Sequence, residues 1–236
     1  MIKGAPVYRS ALHQDAPAVA TEWKPMIVDL WTDIVCPWCY IGVTRFERAL
    51  EQFGGKVEVR LHPFQLDPQA PIPGIPALER YEQRFGAEAS AMLERVVNEG
   101  AKDGIEMRFD RALTANTFDA HRLLRFAART EKQRELEMLL YRAYFTDGLD
   151  ISDRSVLADR AAAAGLDREE AAAFLNGEGE VEDVLQELAT ASQVGITGVP
   201  AFLFHEKYLV PGAVDTAMFG RILQQMSEVS EDETSA

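Results

Sequence analysis

Apolar and polar residues alternate over Met26–Asp33, where Val28 and Leu30 interleave with Asp29 and Trp31. They alternate again where Val57, Val59 and Leu61 interleave with Glu58, Arg60 and His62. Period two predicts a strand at each place. Between them Val43, Phe46, Leu50 and Phe53 fall 3, 4 and 3 apart, one face of a helix, and Gly54-Gly55 ends it. The run from Pro63 to Pro76 holds five prolines and reads as a connector, since proline removes a donor and fixes φ. From Ala77 to Gln193 the chain is rich in Ala, Leu, Glu and Arg. Helices are predicted at about 77–102, 116–130, 132–146, 153–164, 167–176 and 178–193, with strand character only over Ile105–Phe109. The strand pattern returns at Pro200–His205, Glu206-Lys207 turns it into Tyr208–Val210, and Val214–Met226 reads as a last amphipathic helix.

The order β-α-β, helical block, β-β-α predicts an α/β domain with an all-helical insertion. The expected boundaries are an irregular arm at 1–25, a sheet domain at 26–76 and 194–227, a helical insertion at 77–193, and an acidic disordered tail at 228–236.

Composition narrows the function classes. Lys and Arg number 24 against 38 Asp and Glu, a net charge of -14, and no basic run appears. Phosphate binding relies on basic surface, so nucleic acid is not expected as a partner. No apolar stretch reaches the ~18–20 residues that span a bilayer, so no membrane partner is expected. The N-terminal residues contain no apolar leader core and are interrupted by Pro6, Pro17 and Pro25, which sets the expected compartment as the cytoplasm.

Two cysteines, Cys36 and Cys39, stand three apart at the junction of the first strand and the first helix. A ring that small constrains an unfolded chain little, and a cytosolic C-x-x-C pair is more often redox-active or metal-binding than structural. If Cys36 is the N-cap, Pro37 takes the first helical position, where its missing N–H costs nothing. The amides of Trp38 and Cys39 then point at the Cys36 sulfur and, with the helix dipole, favour a thiolate. Cys36 is then expected as the exposed thiol; Cys39, one turn on, is the more buried and is spaced to attack a mixed disulfide at Cys36. Structural zinc wants four ligands; His13, His62, His121 and His205 are scattered, so no metal is expected. Two inert core thiols remain the plain alternative.

With the strand before it, Cys36-Pro-Trp-Cys-Tyr40 resembles the DsbA-like branch of the thioredoxin superfamily, the FrnE-type proteins in particular. Gly195-Ile-Thr-Gly-Val-Pro-Ala-Phe202 is similar to that family's second motif, Asn116–Leu123 resembles its insertion helix, and Val210–Asp215 its closing segment. The resemblance implies a thioredoxin-like fold with a helical insertion and a thiol–disulfide oxidoreductase. Cys36 matches the attacking cysteine, Cys39 the resolving one, and Pro200 a cis-proline that offers the Val199 backbone to an extended substrate. No bound cofactor is implied; glutathione is a candidate thiol co-substrate, partners are protein or small-molecule thiols and disulfides, and a homodimer is compatible with the sequence. The related 2-hydroxychromene-2-carboxylate isomerases and kappa-class glutathione transferases share the Asn…His helix but typically lack the cysteine pair. A glutathione-dependent isomerase or transferase is therefore the alternative, with a redox-sensing or chaperone-like binding module as a third reading.

Other residues carry two readings each. Trp38 either packs on substrate or covers the helical block. Asn116 is a substrate-binding amide or an N-cap with Asp119 three residues on, a capping-box-like pattern. His121 is a site acid–base near Cys36 or an interdomain core histidine. Asp33 is expected as an exposed loop aspartate, with tuning of the thiolate as the alternative. The methionines, Met92, Met138 and Met218 among them, read as core.

Overall fold

In the computed structural model, which describes residues 25–234, the first strand β1 (Met26–Thr32) is buried along both faces. The reason is position. β1 pairs in parallel with β2 (Val57–Pro63), Met26 opposite Val57 and Thr32 opposite Pro63. On its other side it pairs antiparallel with β5 (Ala201–Phe204), Leu30 opposite Phe202. β6 (Tyr208–Pro211) closes the sheet, giving the order β2-β1-β5-β6. Pro63 is tolerated because β2 is an edge strand. The β5–β6 turn places His205 and Glu206 at φ of 50° and 56°.

Helix α1 (Pro37–Phe53) connects β1 to β2 and ends at Gly54, whose φ of 69° is left-handed. It packs beside the last helix, α9 (Thr216–Thr234), on one face of the sheet. Phe46 of α1, Phe202 and Phe204 of β5 and Phe219 of α9 form the centre of that layer, all fully buried. Their ring centroids lie 4.7–6.4 Å apart, the tilted and edge-on spacing that aromatic quadrupoles favour. On the opposite face Trp31, Ala201 and Ile196 make a smaller cluster with Ala191.

Between β2 and β5 the regular structure is helical apart from a two-residue pair, β3 (Ile75–Pro76) with β4 (Leu113–Thr114). Helices α2 (Ala77–Phe85), α3 (Ala89–Lys102), α4 (Phe118–Ala128) and α5 (Gln133–Arg142) come first. Then follow α6 (Arg154–Ala163), α7 (Arg168–Asn176) and α8 (Val181–Gln193). Their buried side chains join those of the sheet in one continuous core: Ile41 and Val43 of α1 share it with Leu123, Leu140 and Leu157.

Several expectations are corrected. The helix expected over 77–102 is two helices, because Gly86 takes φ 57° and a short 3₁₀ turn, Gly86–Glu88, intervenes. The helix expected over 132–146 loosens after Arg142 into a π turn, Ala143–Asp147. Residues 105–109 form no ladder. Ile105, Met107 and Phe109 alternate inward as a strand would, but the segment is an extended connection. The tail expected from 228 is helical to Thr234 as the end of α9. Phe219 and Leu223 anchor that helix upstream, and elongating a nucleated helix needs only one residue fixed per bond. Residues 1–24 of the expected arm, and 235–236, lie outside the described residues.

Arg122, on α4, is one of the largest fully buried side chains. It donates to Asp119 Oδ1 at 2.6 Å and to the carbonyls of Gly177 at 2.7 Å and Gly179 at 2.9 Å, with Phe174 and Leu175 at 3.3 Å. Four of these acceptors lie in or beyond the last turn of α7, where helix geometry leaves carbonyls without partners. Arg122→Leu strands them together with Asp119, and is expected to lower unfolding stability by roughly 3–5 kcal/mol. Arg122→Lys should recover only part, because an ammonium lacks the planar fork. Urea midpoints of the two variants check this; equal midpoints to wild type would contradict it.

Candidate active site

The polypeptide turns sharply between β1 and α1, with the Cys36 amide donating to Asp33 O at 3.0 Å. Cys36 is the N-cap of α1 (φ -88°, ψ 111°) and Pro37 the first helical residue. The Cys39 amide reaches the Cys36 sulfur at 3.3 Å and also the Cys36 carbonyl at 3.1 Å. Among the described residues the hydrogen bond to this sulfur comes from Cys39 and not from Trp38. An N-cap side chain reaches the third residue of the helix, which is Cys39. Both thiols are free.

Cys36 is not the exposed thiol expected; it is 3% exposed, and Cys39 is 0%. The cover comes from the loop before β5. Its Val199 carbonyl accepts from Cys36 Sγ at 3.6 Å, and the Val199–Pro200 bond is cis. Pro200 sits close against α1 at Gly42, where a Cβ would come within 2.9 Å of Pro200 Cγ. Gly42, one helical turn beyond Cys39, is thus the residue that lets this loop approach the cysteines. A glycine inside a strongly amphipathic helix was the signal available for it in the sequence.

The two sulfurs differ in surroundings. Burial pushes the Cys39 thiol well above its ordinary value, and the Cys36 sulfur beside it adds to the rise. Asp33 is fully buried rather than exposed, and its Oδ2 accepts the Leu66 amide at 2.7 Å. Asp33 Oδ1 has no hydrogen-bond partner and faces His121 Nε2 at 3.5 Å. That imidazole is 2% exposed, and its Nε2 lies 3.0 Å from the Phe64 carbonyl. His121 of α4 is therefore brought against the turn that precedes Cys36.

The remaining candidates divide. Trp38 is 38% exposed at the start of α1, beside the cysteines. Asn116 is committed elsewhere. Its Oδ1 accepts the Phe118 amide at 2.9 Å and its Nδ2 donates to Pro68 O at 3.0 Å, which ties α4 to the loop after β2. It is not the N-cap of α4, a place taken by Thr117. Asp119 completes no capping box, because its carboxylate pairs with Arg122 and Arg154.

Behind Cys39 lies a buried polar group that the sequence pattern hid. Glu137 of α5 is 1% exposed and accepts from Thr32 Oγ1 at 2.7 Å and Tyr141 Oη at 3.1 Å. Tyr141 stacks on Tyr40, the neighbour of Cys39, with centroids 5.1 Å apart. Burial raises the Glu137 carboxyl to about 7. Among the described residues no three His, Cys, Asp or Glu side chains converge to hold a metal ion, and no helix is long and apolar enough to cross a membrane.

A sequence model of the DSBA-like thioredoxin domain family matches residues 27–224. A Streptomyces coelicolor protein described as a probable DsbA oxidoreductase is 34% identical. Its crystal structure superposes with a TM-score of 0.78, covering 85% of this chain and 89% of that one. The uncharacterized protein YwbO of Bacillus subtilis is 26% identical over 200 residues, 83% of this chain and 94% of its own. The cytosolic disulfide reductase DsbM of Pseudomonas aeruginosa, solved with GSH, shares the fold at 18% identity. Its TM-score is 0.59, covering 89% of this chain and 100% of that one.

Proposed function

The chain belongs to the DSBA-like thioredoxin domain family, and from that premise we propose that it is a thiol–disulfide oxidoreductase working through Cys36 and Cys39. The observation that carries this reading is the asymmetry of the pair. Cys36 caps α1 with an amide 3.3 Å from its sulfur, while burial holds Cys39 protonated. Cys36 attacks a substrate disulfide, forming a mixed disulfide and releasing one thiolate. Cys39 then attacks the Cys36 sulfur, releases the second substrate thiol and closes the intramolecular disulfide. Two electrons pass from the dithiol to the substrate, and the reverse order oxidises a dithiol.

Val199, whose carbonyl already meets the Cys36 sulfur, presents backbone to substrate at the point of attack, and Trp38 supplies an exposed apolar rim. His121, set against the turn through Asp33 and Phe64, serves as a positioning group for that turn. Glutathione is the thiol co-substrate in this reading, and the cytoplasm its compartment.

Equilibration against a series of reduced and oxidised glutathione, read by alkylation and mass spectrometry, tests the proposal. A reversible two-electron transition confined to Cys36 and Cys39 is expected. Turnover that requires glutathione with no net redox change would indicate an isomerase or transferase instead. Absence of any transition would sink the oxidoreductase reading.

A further inference from the structure

Next to the cysteine turn a cavity of about 150 Å³ opens between the loop after β2, helix α2 and the π turn. Val35, the residue before Cys36, forms part of its wall, and Leu66, Tyr81, Phe85 and Tyr144 supply apolar and aromatic surface. Tyr81 sits near enough to the cysteine turn that charge on Cys36 and Asp33 adds to the rise that burial gives its phenol. An apolar cavity of this size holds a benzene ring.

Three features set the polar character of the cavity. Thr114 lines it at 6% exposure, and its buried hydroxyl lies near the Tyr144 phenol without a hydrogen bond of good geometry among the described residues. A buried hydroxyl so poorly paired is costly, and a bound acceptor or donor would relieve it. The one carboxylate in the wall, Asp67, is neutralised by Arg80 through contacts of 2.7 and 3.1 Å. Arg84 lies in the same wall with its guanidinium 5.4 Å from the Phe85 ring centroid, and it makes no ion pair among the described residues. On a chain of net charge -14, an arginine without an ion pair at the rim of this cavity marks a place for an anion.

We infer that this cavity is a substrate subsite for a low-molecular-weight disulfide or thiol carrying a ring-sized group with a carboxylate, bound so that its sulfur meets Cys36. The inference rests on the oxidoreductase reading and names its substrate class. The ring fills the space between Tyr81 and Tyr144, the Thr114 hydroxyl bonds a polar atom at the closed end, and Arg84 meets the carboxylate at the rim. Attack of Cys36 on the near sulfur releases one aryl thiolate. Attack of Cys39 on Cys36 then releases the second, and the Cys39 proton leaves with it as the free thiol.

The test uses two disulfides of similar ring size on the full-length reduced protein. 5,5′-Dithiobis(2-nitrobenzoate) is dianionic and 4,4′-dithiodipyridine neutral. Arg84→Gln is expected to slow the anionic reagent about 5- to 10-fold, the scale of one charge-assisted contact at a partly exposed site. It should leave the neutral reagent within about 2-fold, and Arg84→Lys should restore most of the loss. Leu66→Trp, at the mouth of the cavity, should slow both aryl reagents and leave the small aliphatic disulfide cystamine unchanged. If Arg84→Gln alters both aryl reagents equally or neither, or if Leu66→Trp slows cystamine as much, the subsite is refuted while the redox reading stands. If Cys36→Ser reacts as fast as wild type with all three, the redox reading itself fails.

Discussion

Cys39→Ser is expected to accumulate a mixed disulfide on Cys36, and Cys36→Ser to lose exchange by roughly 10³-fold or more, the scale of removing a nucleophile. The argument is positional. Charge that develops on the Cys36 sulfur meets the N-terminal end of α1 and the Cys39 amide at 3.3 Å. Cys39 is favoured as an anion only by a backbone contact from Asp33, which burial outweighs. Its sulfur is fully buried, and burial together with the neighbouring Cys36 holds the thiol well above its ordinary value. It becomes a nucleophile only once a substrate sulfur is attached to Cys36 three residues away. Removing Cys39 therefore blocks the second step and leaves the first, so glutathione or substrate adducts should appear by mass on Cys36 alone. Because Cys36 is itself only 3% exposed, alkylation at mildly acidic pH should be slow but still label it before Cys39. Labelling of Cys39 first, or full activity in Cys36→Ser, would reverse the assignment.

What the sequence reveals of this site follows from how local each signal is. The strand, the cysteine turn and the helix are encoded within residues 26–53 by periodicity and by Pro37 at the first helical position, so they are legible residue by residue. The loop at Val199 is legible only through its family resemblance, since nothing local links it to a cysteine 163 positions away. Burial is hidden from the sequence for the same reason. Asp33 looks like a loop aspartate until Leu66 and His121, from other elements, close over it. Glu137 sits among Glu135 and Arg134 in a helix whose outer face is charged, and only the meeting of α5 with Thr32 turns it inward. Arg122 is hidden likewise, because all its acceptors but Asp119 are carbonyls more than fifty residues on. The alternation at Ile105–Phe109 is a true inward–outward pattern, but among the described residues no strand pairs with it.

Glu137 should make this protein less stable as pH rises from about 5 to about 8. Burial dominates its environment and disfavours the charged form, raising the carboxyl to about 7. The groups around it act both ways. Thr32 on β1 and Tyr141 on its own helix donate to it and stabilise the anion, as does His121 of α4; Glu47 of α1, itself held by Arg134, opposes it. In the unfolded chain the same carboxyl titrates near 4.5. Between these values the folded state binds more protons than the unfolded one, so stability falls with rising pH across that window. At 1.36 kcal/mol per unit, the loss through this one residue is roughly 3 kcal/mol. Glu137→Gln keeps the side-chain shape and an oxygen that can accept from Thr32 and Tyr141, but it carries no charge at any pH. Urea unfolding should therefore give similar stabilities for variant and wild type at pH 5. At pH 8 the variant should be the more stable by roughly 3 kcal/mol, because only the wild type then buries a carboxylate or takes up a proton to avoid it. The site also feels this charge. Tyr141 links Glu137 to the Tyr40 ring beside Cys39; burial raises its phenol, and charge on Glu137 or Cys39 raises it further. Parallel stability profiles for the two proteins from pH 5 to pH 8 would show that Glu137 is not titrating in this range.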